Sequence, residues 1–581
     1  MSPDTTYCVE DGARIETETG PRLVFAPILR AWLVRMNDDS TPSETSYLSD
    51  QTHAIVASAI AHYDRGVRLA EQGQVDAAIQ SYTRAIDLDP KYPQPLNNLG
   101  ALFLDDGRLV EARRALERAV ALAPEYPEAW NNLGVLARDE GNMAEAYRCY
   151  ERSLQADRNA RNTQHNLLMA ENYLTDFELE WMQDDHLAWG EQVQERYLQP
   201  PLMPTRPFDP TRPLRIGYLS PDFRTHSVGY FIEAMLANHD PAFHSYCYAN
   251  LPREDDPTTL RLRSLAFAWR NVHSLSAAEL AALIRRDEID VLVELAGHTA
   301  GNRLDAMALR PAPVQITYLG YPNTTGLRCI DYRITDEHAD PWDTKQYFAE
   351  TLIRMPECFL CYTPPLEGPA VNRLPLSKRG YVTFVSFNAL CKLNDRVLEV
   401  WARILNRVPR SRLLLKARGL ANPTVAKRLK AKLKHFGIAP HRITFEPLVA
   451  TNYEHLAQYN RADISLDTFP YAGTTTTCEA LLMGVPVVTL TGRTHANNVG
   501  RSILHAVGLP ELLADTDEQY VDIACELAVD RKRLTAMRRT LRERMLGSAL
   551  CDGWRFTREI EAVYAWCVEE ATKLQQHVRV A

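Results

Sequence analysis

Residues Asp463–Gly484, DISLDTFPYAGTTTTCEALLMG, pack a strand, a turn and a helix into one short unit. "DISLDT" reads as a short buried strand, Pro470 and Gly473 break it, and a helix begins near Thr476. Four threonines, 474 to 477, stand at the mouth of that helix. A helix start offers unpaired amides and the positive end of a dipole, Gly473 lets the backbone approach closely, and hydroxyls add neutral donors, so Thr474, Thr475 and Thr476 suit a phosphate. In that reading Glu479, in the first turn, accepts from ribose hydroxyls, and Lys392 supplies the full positive charge that a leaving diphosphate requires. The bland alternative is that the threonines cap the helix and Glu479 pairs with its dipole.

The same rhythm extends on both sides. "LRIGYLS", "DVLVELAG", "VQITYLG", "YVTFVSFN", "RLLLKA", "ITFEPL", "DISLDT" and "VPVVTL" are short β-branched runs separated by helical stretches. This alternation predicts parallel sheets wrapped by helices. Two α/β lobes are expected, 212–375 and 376–581, facing one another across a cleft, the second with a closing C-terminal helix. Ligands in such sheets bind beyond the carboxyl ends of strands. That rule selects Asp222 and His226, His298 and Thr299, and Asn388 and Lys392. A histidine near its ordinary pKa can take a proton from a hydroxyl, although His226 could also only orient it, and His298 could as well be structural. There is no Walker A motif, no GxGxxG after the first strand and no DxD-type pair to hold a metal; Asp255 and Asp256 lie in a polar loop.

Ahead of the lobes the chain repeats itself. Gly66, Gly100 and Gly134 are 34 residues apart, as are Gly73, Gly107 and Gly141, and Ala85, Ala119 and Ser153. This resembles the tetratricopeptide repeat, two antiparallel helices per unit, with about three units in residues 51–160 and a degenerate one after them. Asn98, Asn132 and Asn166 keep the same interval, which puts them in a line along one face. Such amides can bind the backbone of an extended peptide, or simply pack. Residues 161–211 read as a helical linker ending in the proline-rich "PPLMPTRPFDPTRP". Residues 1–50 read as a disordered or weakly structured extension in which 22–36 could form an amphipathic helix and Met36 could be the true start.

At 581 residues the chain is long enough for several domains, and its formal charge of −9 argues against a nucleic-acid or membrane binder. Scattered cysteines and the lack of a secretory signal suit the cytoplasm. The single CxxC, Cys358 to Cys361, has no second pair, so burial is the first expectation for it, ahead of a metal or redox role.

Taken together, "LRPAPVQITYLGYPNTTG", "IDYRITD", "SFNALCK" and "DISLDTFPYAGTTTTCEALLMGVPVVTL" resemble the central blocks of glycosyltransferase family 41, the protein O-GlcNAc transferases and SPINDLY protein O-fucosyltransferases, over about residues 51–570. The resemblance implies a GT-B fold and inverting transfer to Ser or Thr hydroxyls, with no metal and no cofactor beyond the nucleotide sugar. It implies that Lys392 binds the diphosphate, Thr475 and Thr476 meet it at the helix, Glu479 holds the ribose, His226 is the active-site histidine, Gly320 contacts the sugar and His455 stacks near the base. Thr474, Ala389, Asn452, Gln458 and Glu479 depart from the O-GlcNAc transferase pattern. "ELAGHTAG", "CFLCYTP" and "HANNVG" look closer to SPINDLY, which favours GDP-fucose over UDP-GlcNAc. The implied partners are protein acceptors held by the repeats, which could also join copies of the chain. A repeat scaffold with an inactive lobe and a small-molecule GT-B enzyme such as a sugar epimerase are the rival expectations.

Overall fold

The computed structural model describes residues 44–175, 178–197 and 211–580. The readings of 1–43, including residues 22–36 and Met36, and of most of the proline-rich connector lie outside the described residues. Three helix pairs follow the 34-residue period: α1 (Glu44–Glu71) with α2 (Val75–Leu88), α3 (Pro93–Asp105) with α4 (Leu109–Leu122), and α5 (Pro127–Asp139) with α6 (Met143–Ala156). The first begins ahead of the boundary expected at residue 51, so Glu44 to Asp50 are helical rather than unstructured. α7 (Arg161–Glu171) and α8 (Leu179–Arg196) continue the stack through the stretch read as linker. The period has a steric cause: a Cβ on Gly66, Gly100 or Gly134 would stand 2.6, 2.6 and 2.4 Å from Tyr82, Leu116 and Tyr150 of the paired helix.

The first lobe is a sheet of seven parallel strands, β1 (Leu214–Ser220), β2 (Phe243–Ala249), β3 (Ala268–Asn271), β4 (Val291–Glu294), β5 (Val314–Thr317), β6 (Tyr332–Asp336) and β7 (Thr351–Met355), in the order 3-2-1-4-5-6-7. The second has six, β8 (Thr383–Ser386), β9 (Arg412–Lys416), β10 (Ile443–Glu446), β11 (Ile464–Leu466), β12 (Val487–Leu490) and β13 (Leu513–Ala514), in the order 10-9-8-11-12-13, again all parallel. Strands β4, β5, β8, β11 and β12 are buried at every residue, which is why they read as continuous apolar runs rather than alternating ones. Each sheet reverses its strand order once, between β1 and β4 and between β8 and β11. Crevices open at such points. The architecture is the expected GT-B pair of lobes behind a helical repeat module.

One boundary changes. The last helix, Gly553–Val580, packs on the first-lobe helix Ser227–Asn238 rather than closing the second lobe. Tyr564 meets Tyr218 oxygen to oxygen at 3.3 Å, and Glu561 pairs with His239 Nδ1 at 2.9 Å. Its apolar stripe announces burial, but nothing local to it says against which lobe. Cys358 and Cys361 are buried and unpaired, and burial pushes both thiols up, away from reactivity. Among the described residues no helix is long and apolar enough to cross a membrane.

Candidate active site

The crevice between β8 and β11 is organised by a residue that the sequence left unmarked. Asp467, one residue beyond β11, is 2% exposed. Its Oδ1 accepts the amides of Thr468 at 2.8 Å and Gly473 at 2.7 Å, and its Oδ2 accepts the Thr489 hydroxyl at 3.0 Å. Burial raises this carboxyl to about 6, held back by the Gly473 amide and by Lys392. The bonds curl the Thr468–Gly473 loop so that it delivers the helix Thr475–Leu482 with its N-terminus facing the crevice.

The threonines divide their work. Thr474 occupies the N-cap position, yet its side chain makes no cap bond. Thr476 donates to Asn388 Oδ1 at 3.1 Å, and Thr477 bonds back to the Gly473 carbonyl at 3.1 Å. Thr475 Oγ1 is shielded from solvent and has no hydrogen-bond partner among the described residues. A buried hydroxyl without a partner costs about 1–3 kcal/mol, which a ligand oxygen beside it would relieve. Thr474 as a plain cap is therefore overturned. Glu479 is also not in the first turn, which holds no acidic residue, but one turn further in. Its carboxylate is set by His455 Nε2 at 2.8 Å and the Tyr459 hydroxyl at 3.5 Å, not by the dipole.

Lys392 ends the short 3-10 turn Leu390–Lys392 that follows β8. Its ammonium donates to the Ala472 carbonyl at 2.7 Å and lies 4.0 Å from the centre of the Tyr471 ring. Burial lowers its pKa, and the Asp467 carboxylate is the main force holding it up. A cation, a row of free amides and an unpartnered hydroxyl thus converge on the β8/β11 crevice. Such a set is chemically able to stabilise a dianionic leaving group.

From the first lobe, β1 delivers Asp222 and His226. His226 caps the helix Ser227–Asn238, its Nδ1 accepting the Val228 amide at 3.3 Å, with Asp222 Oδ1 at 3.5 Å. Desolvation lowers its pKa, Asp222 opposing the effect. On the same helix Tyr230 is raised first by burial and next by the Glu479 carboxylate of the other lobe, so the two lobes face each other here. Gly320 sits where a Cβ would be 1.9 Å from the Leu295 carbonyl oxygen, and Leu319 before it has φ 74°. Only glycine fits such an approach.

His298 and Thr299 follow β4 as expected but do not join this group. His298 is 1% exposed under the helical module, its Nδ1 2.8 Å from His165 Nδ1 and its Nε2 3.0 Å from the Thr325 carbonyl. Trp189 of α8 packs edge-on against it at 4.5 Å. Thr299 turns back to the Ala296 carbonyl at 2.8 Å. The pair lies at the strand end, as the sequence suggests, but α7 and α8 roof it, and His298 packs among His165, His186 and Trp189.

The asparagines form a ladder. Asn166 Nδ2 donates to Asn131 at 2.8 Å, Asn131 to Asn132 at 3.4 Å, Asn132 to Asn97 at 2.9 Å and Asn97 to Asn98 at 3.2 Å. Asn98 ends it on the Tyr63 and Tyr82 hydroxyls, both at 3.4 Å. Asn98, Asn132 and Asn166 stay partly exposed.

The model for glycosyl transferase family 41 matches residues 197–363 and 373–560, across both lobes and all of the residues just described from them. The chain belongs to glycosyltransferase family 41. Models of the tetratricopeptide repeat match 66–107 and 97–161. The family's curated relatives include a protein of Solanum lycopersicum named probable UDP-N-acetylglucosamine–peptide N-acetylglucosaminyltransferase SPINDLY, 46% identical over 415 residues, 71% of this chain and 44% of that one. Its Arabidopsis thaliana namesake is 45% identical over 412 residues, 70% of this chain and 45% of that one, and the Arabidopsis protein named SEC is 31% identical over 381, covering 63% and 38%. The chain thus spans less than half the length of these relatives. Among solved structures, a lysine-to-methionine mutant of Thermobaculum terrenum O-GlcNAc transferase matches with a TM-score of 0.85 and 36% identity over 90% of this chain and 99% of that one.

Proposed function

We propose that this family 41 chain is an inverting, metal-independent protein O-glycosyltransferase that moves a sugar from a nucleotide sugar to Ser or Thr hydroxyls of proteins chosen by its repeats. The observation that carries this is the β8/β11 crevice, where Lys392, the Thr475–Leu482 helix start and the unpartnered Thr475 hydroxyl stand together. The acceptor oxygen attacks the anomeric carbon as its bond to the diphosphate breaks. The electron pair goes to a phosphate oxygen, whose charge Lys392 and the amides receive. The acceptor proton leaves to a base. With Nδ1 engaged by the Val228 amide, neutral His226 carries its proton on Nε2. It therefore orients the acceptor by donating to it, and takes a proton only if that cap opens.

For the donor we favour GDP-fucose, on the residues that depart from the O-GlcNAc transferase pattern, Thr474, Ala389, Asn452, Gln458 and Glu479. The second reading is UDP-GlcNAc, which the printed names of the SPINDLY and SEC relatives favour. Nucleotide release by the purified protein from the two donors in parallel decides between them. Turnover of GDP-fucose alone supports the first, turnover of UDP-GlcNAc alone the second, and turnover of neither overturns the transferase reading in favour of an inactive scaffold.

A further inference from the structure

Behind Glu479 lies a residue that the motifs did not single out. Lys416 is the last residue of β9, and β9 lies beyond β8 from β11. Two strand spacings, about 10 Å, therefore separate it across the sheet from the strand that feeds the phosphate helix. A ribose and a base extended from a phosphate at that helix would cross the carboxyl ends of β8 and β9. The side chains met along that path are of the right kind: the Glu479 carboxylate for hydroxyls, then His455, Phe387 and Tyr459 as ring faces, then Lys416.

These groups form one chain of hydrogen bonds. His455 Nε2 pairs with Glu479 at 2.8 Å, and Lys416 Nζ bonds to His455 Nδ1. Because Nδ1 must accept from an ammonium, the ring proton sits on Nε2 and points at the carboxylate. Lys416 is 3% exposed and its Nζ lies 4.6 Å from the centre of the Phe387 ring. Burial lowers its pKa to about 8, with Glu479 holding it up, so it is charged at neutral pH. An ammonium has three donors. The His455 bond uses one, and the other two have no protein acceptor within hydrogen-bond reach among the described residues. Buried donors are rarely left so.

We propose that Lys416, held by His455 and Glu479, reads the base of the nucleotide sugar by donating to a ring carbonyl, and so selects guanine or uracil over adenine or cytosine. This rests on the nucleotide-sugar reading above but not on which donor proves correct. The logic is one of sign. Guanine O6 and uracil O4 are acceptors, whereas adenine and cytosine present an amino donor at the equivalent position, which an ammonium can only repel.

The test is calorimetry with GDP, UDP, ADP, CDP and inorganic pyrophosphate on the full chain, its Lys416→Met variant and its Lys416→Arg variant. The wild type should bind GDP or UDP at least about tenfold tighter than ADP and CDP, a difference of about 1.4 kcal/mol. Lys416→Met should erase that ratio while leaving pyrophosphate affinity unchanged, and Lys416→Arg, which keeps the donors, should preserve it. A ratio that survives Lys416→Met overturns the proposal. So does a pyrophosphate affinity that falls alike in both variants, which would make Lys416 structural. Failure of the nucleotide-sugar reading looks different: the wild type would bind neither pyrophosphate nor any of the four nucleotides.

Discussion

Tyr173, just past α7, packs against Tyr471 of the second lobe with ring centres 5.0 Å apart and the rings tilted by 35°, and the Lys392 ammonium lies 4.0 Å from the centre of the same Tyr471 ring. The helical module is therefore part of the wall behind the proposed phosphate site. Tyr173→Ala should lower donor hydrolysis about tenfold, the equivalent of about 1.4 kcal/mol, and Tyr173→Phe, which keeps the ring, should stay close to wild type. Steady-state nucleotide release on the two variants checks this, and equal rates would detach the module from the chemistry.

Lys392 and Thr475 should separate turnover from folding. Lys392→Ala removes the charge on the leaving group, and a loss of about 10²–10³ in kcat is expected. Because burial already disfavours that ammonium, the melting temperature should hold. Thr475→Val deletes a buried hydroxyl with no partner, so Tm should hold or rise while the donor KM increases, by about 1.5 kcal/mol if the hydroxyl meets a charged oxygen. Full activity in Lys392→Ala would sink the mechanism.

The joint between α7, α8 and the first lobe should be sensitive to acid. His165 and His186 are held at about 4 and His298 well below its ordinary 6.5, burial being the first cause in each. The folded chain thus keeps them neutral where the unfolded chain protonates them. Their contribution is full above pH 6.5 and falls as the pH drops toward 4, by up to about 1.4 kcal/mol per pH unit for each. Arg161 also disfavours the charged form of His165. Glu171 and Asp185, whose carboxyls burial raises, act with the opposite sign. The histidine share is best read as a difference: His298→Asn should flatten the slope of Tm between pH 6.5 and 5 relative to wild type.

Replacing Asn98, Asn132 and Asn166 together by alanine should weaken transfer to proteins and spare donor hydrolysis. The ladder adds a stability cost of about 1 kcal/mol per lost bond, so Tm must be measured alongside. Equal loss of both activities would mark misfolding instead of lost recognition.

The repeats were legible because a 34-residue period is written in glycines that local packing demands, and the central strands because burial on both faces makes them continuous. Partly exposed β3 and the two-residue β13 lack that signal. Glu479 lies one turn deeper than the sequence suggests, because the helix begins at Thr475 rather than near Thr476, and only the fold shows His455 beside it. Asp467 and Lys416 both sit at carboxyl ends of strands, in "DISLDT" and "RLLLKA", so the rule that found Lys392 could have found them. What no local pattern carries is pairing at a distance, as between His165 and His298 or Tyr173 and Tyr471. Those contacts exist only once two cores have docked.

The return of the final helix to the first lobe means that the main chain passes between the lobes twice. The two passages meet where the Tyr362 amide donates to the Leu550 carbonyl at 2.7 Å, and beside that bond the Thr363 amide ties the first of them to the Tyr230 carbonyl of the first lobe at 2.8 Å. A door hung on both pins at one edge can swing but not slide. The helical module braces it, since Arg418 of the second lobe donates to the Leu104 carbonyl at 2.7 Å, and the Asn172 amide and His186 ring meet the Tyr321 hydroxyl of the first at 3.3 and 2.7 Å. Any gape wide enough to admit a nucleotide must turn about that doubled seam and loosen the brace as it goes.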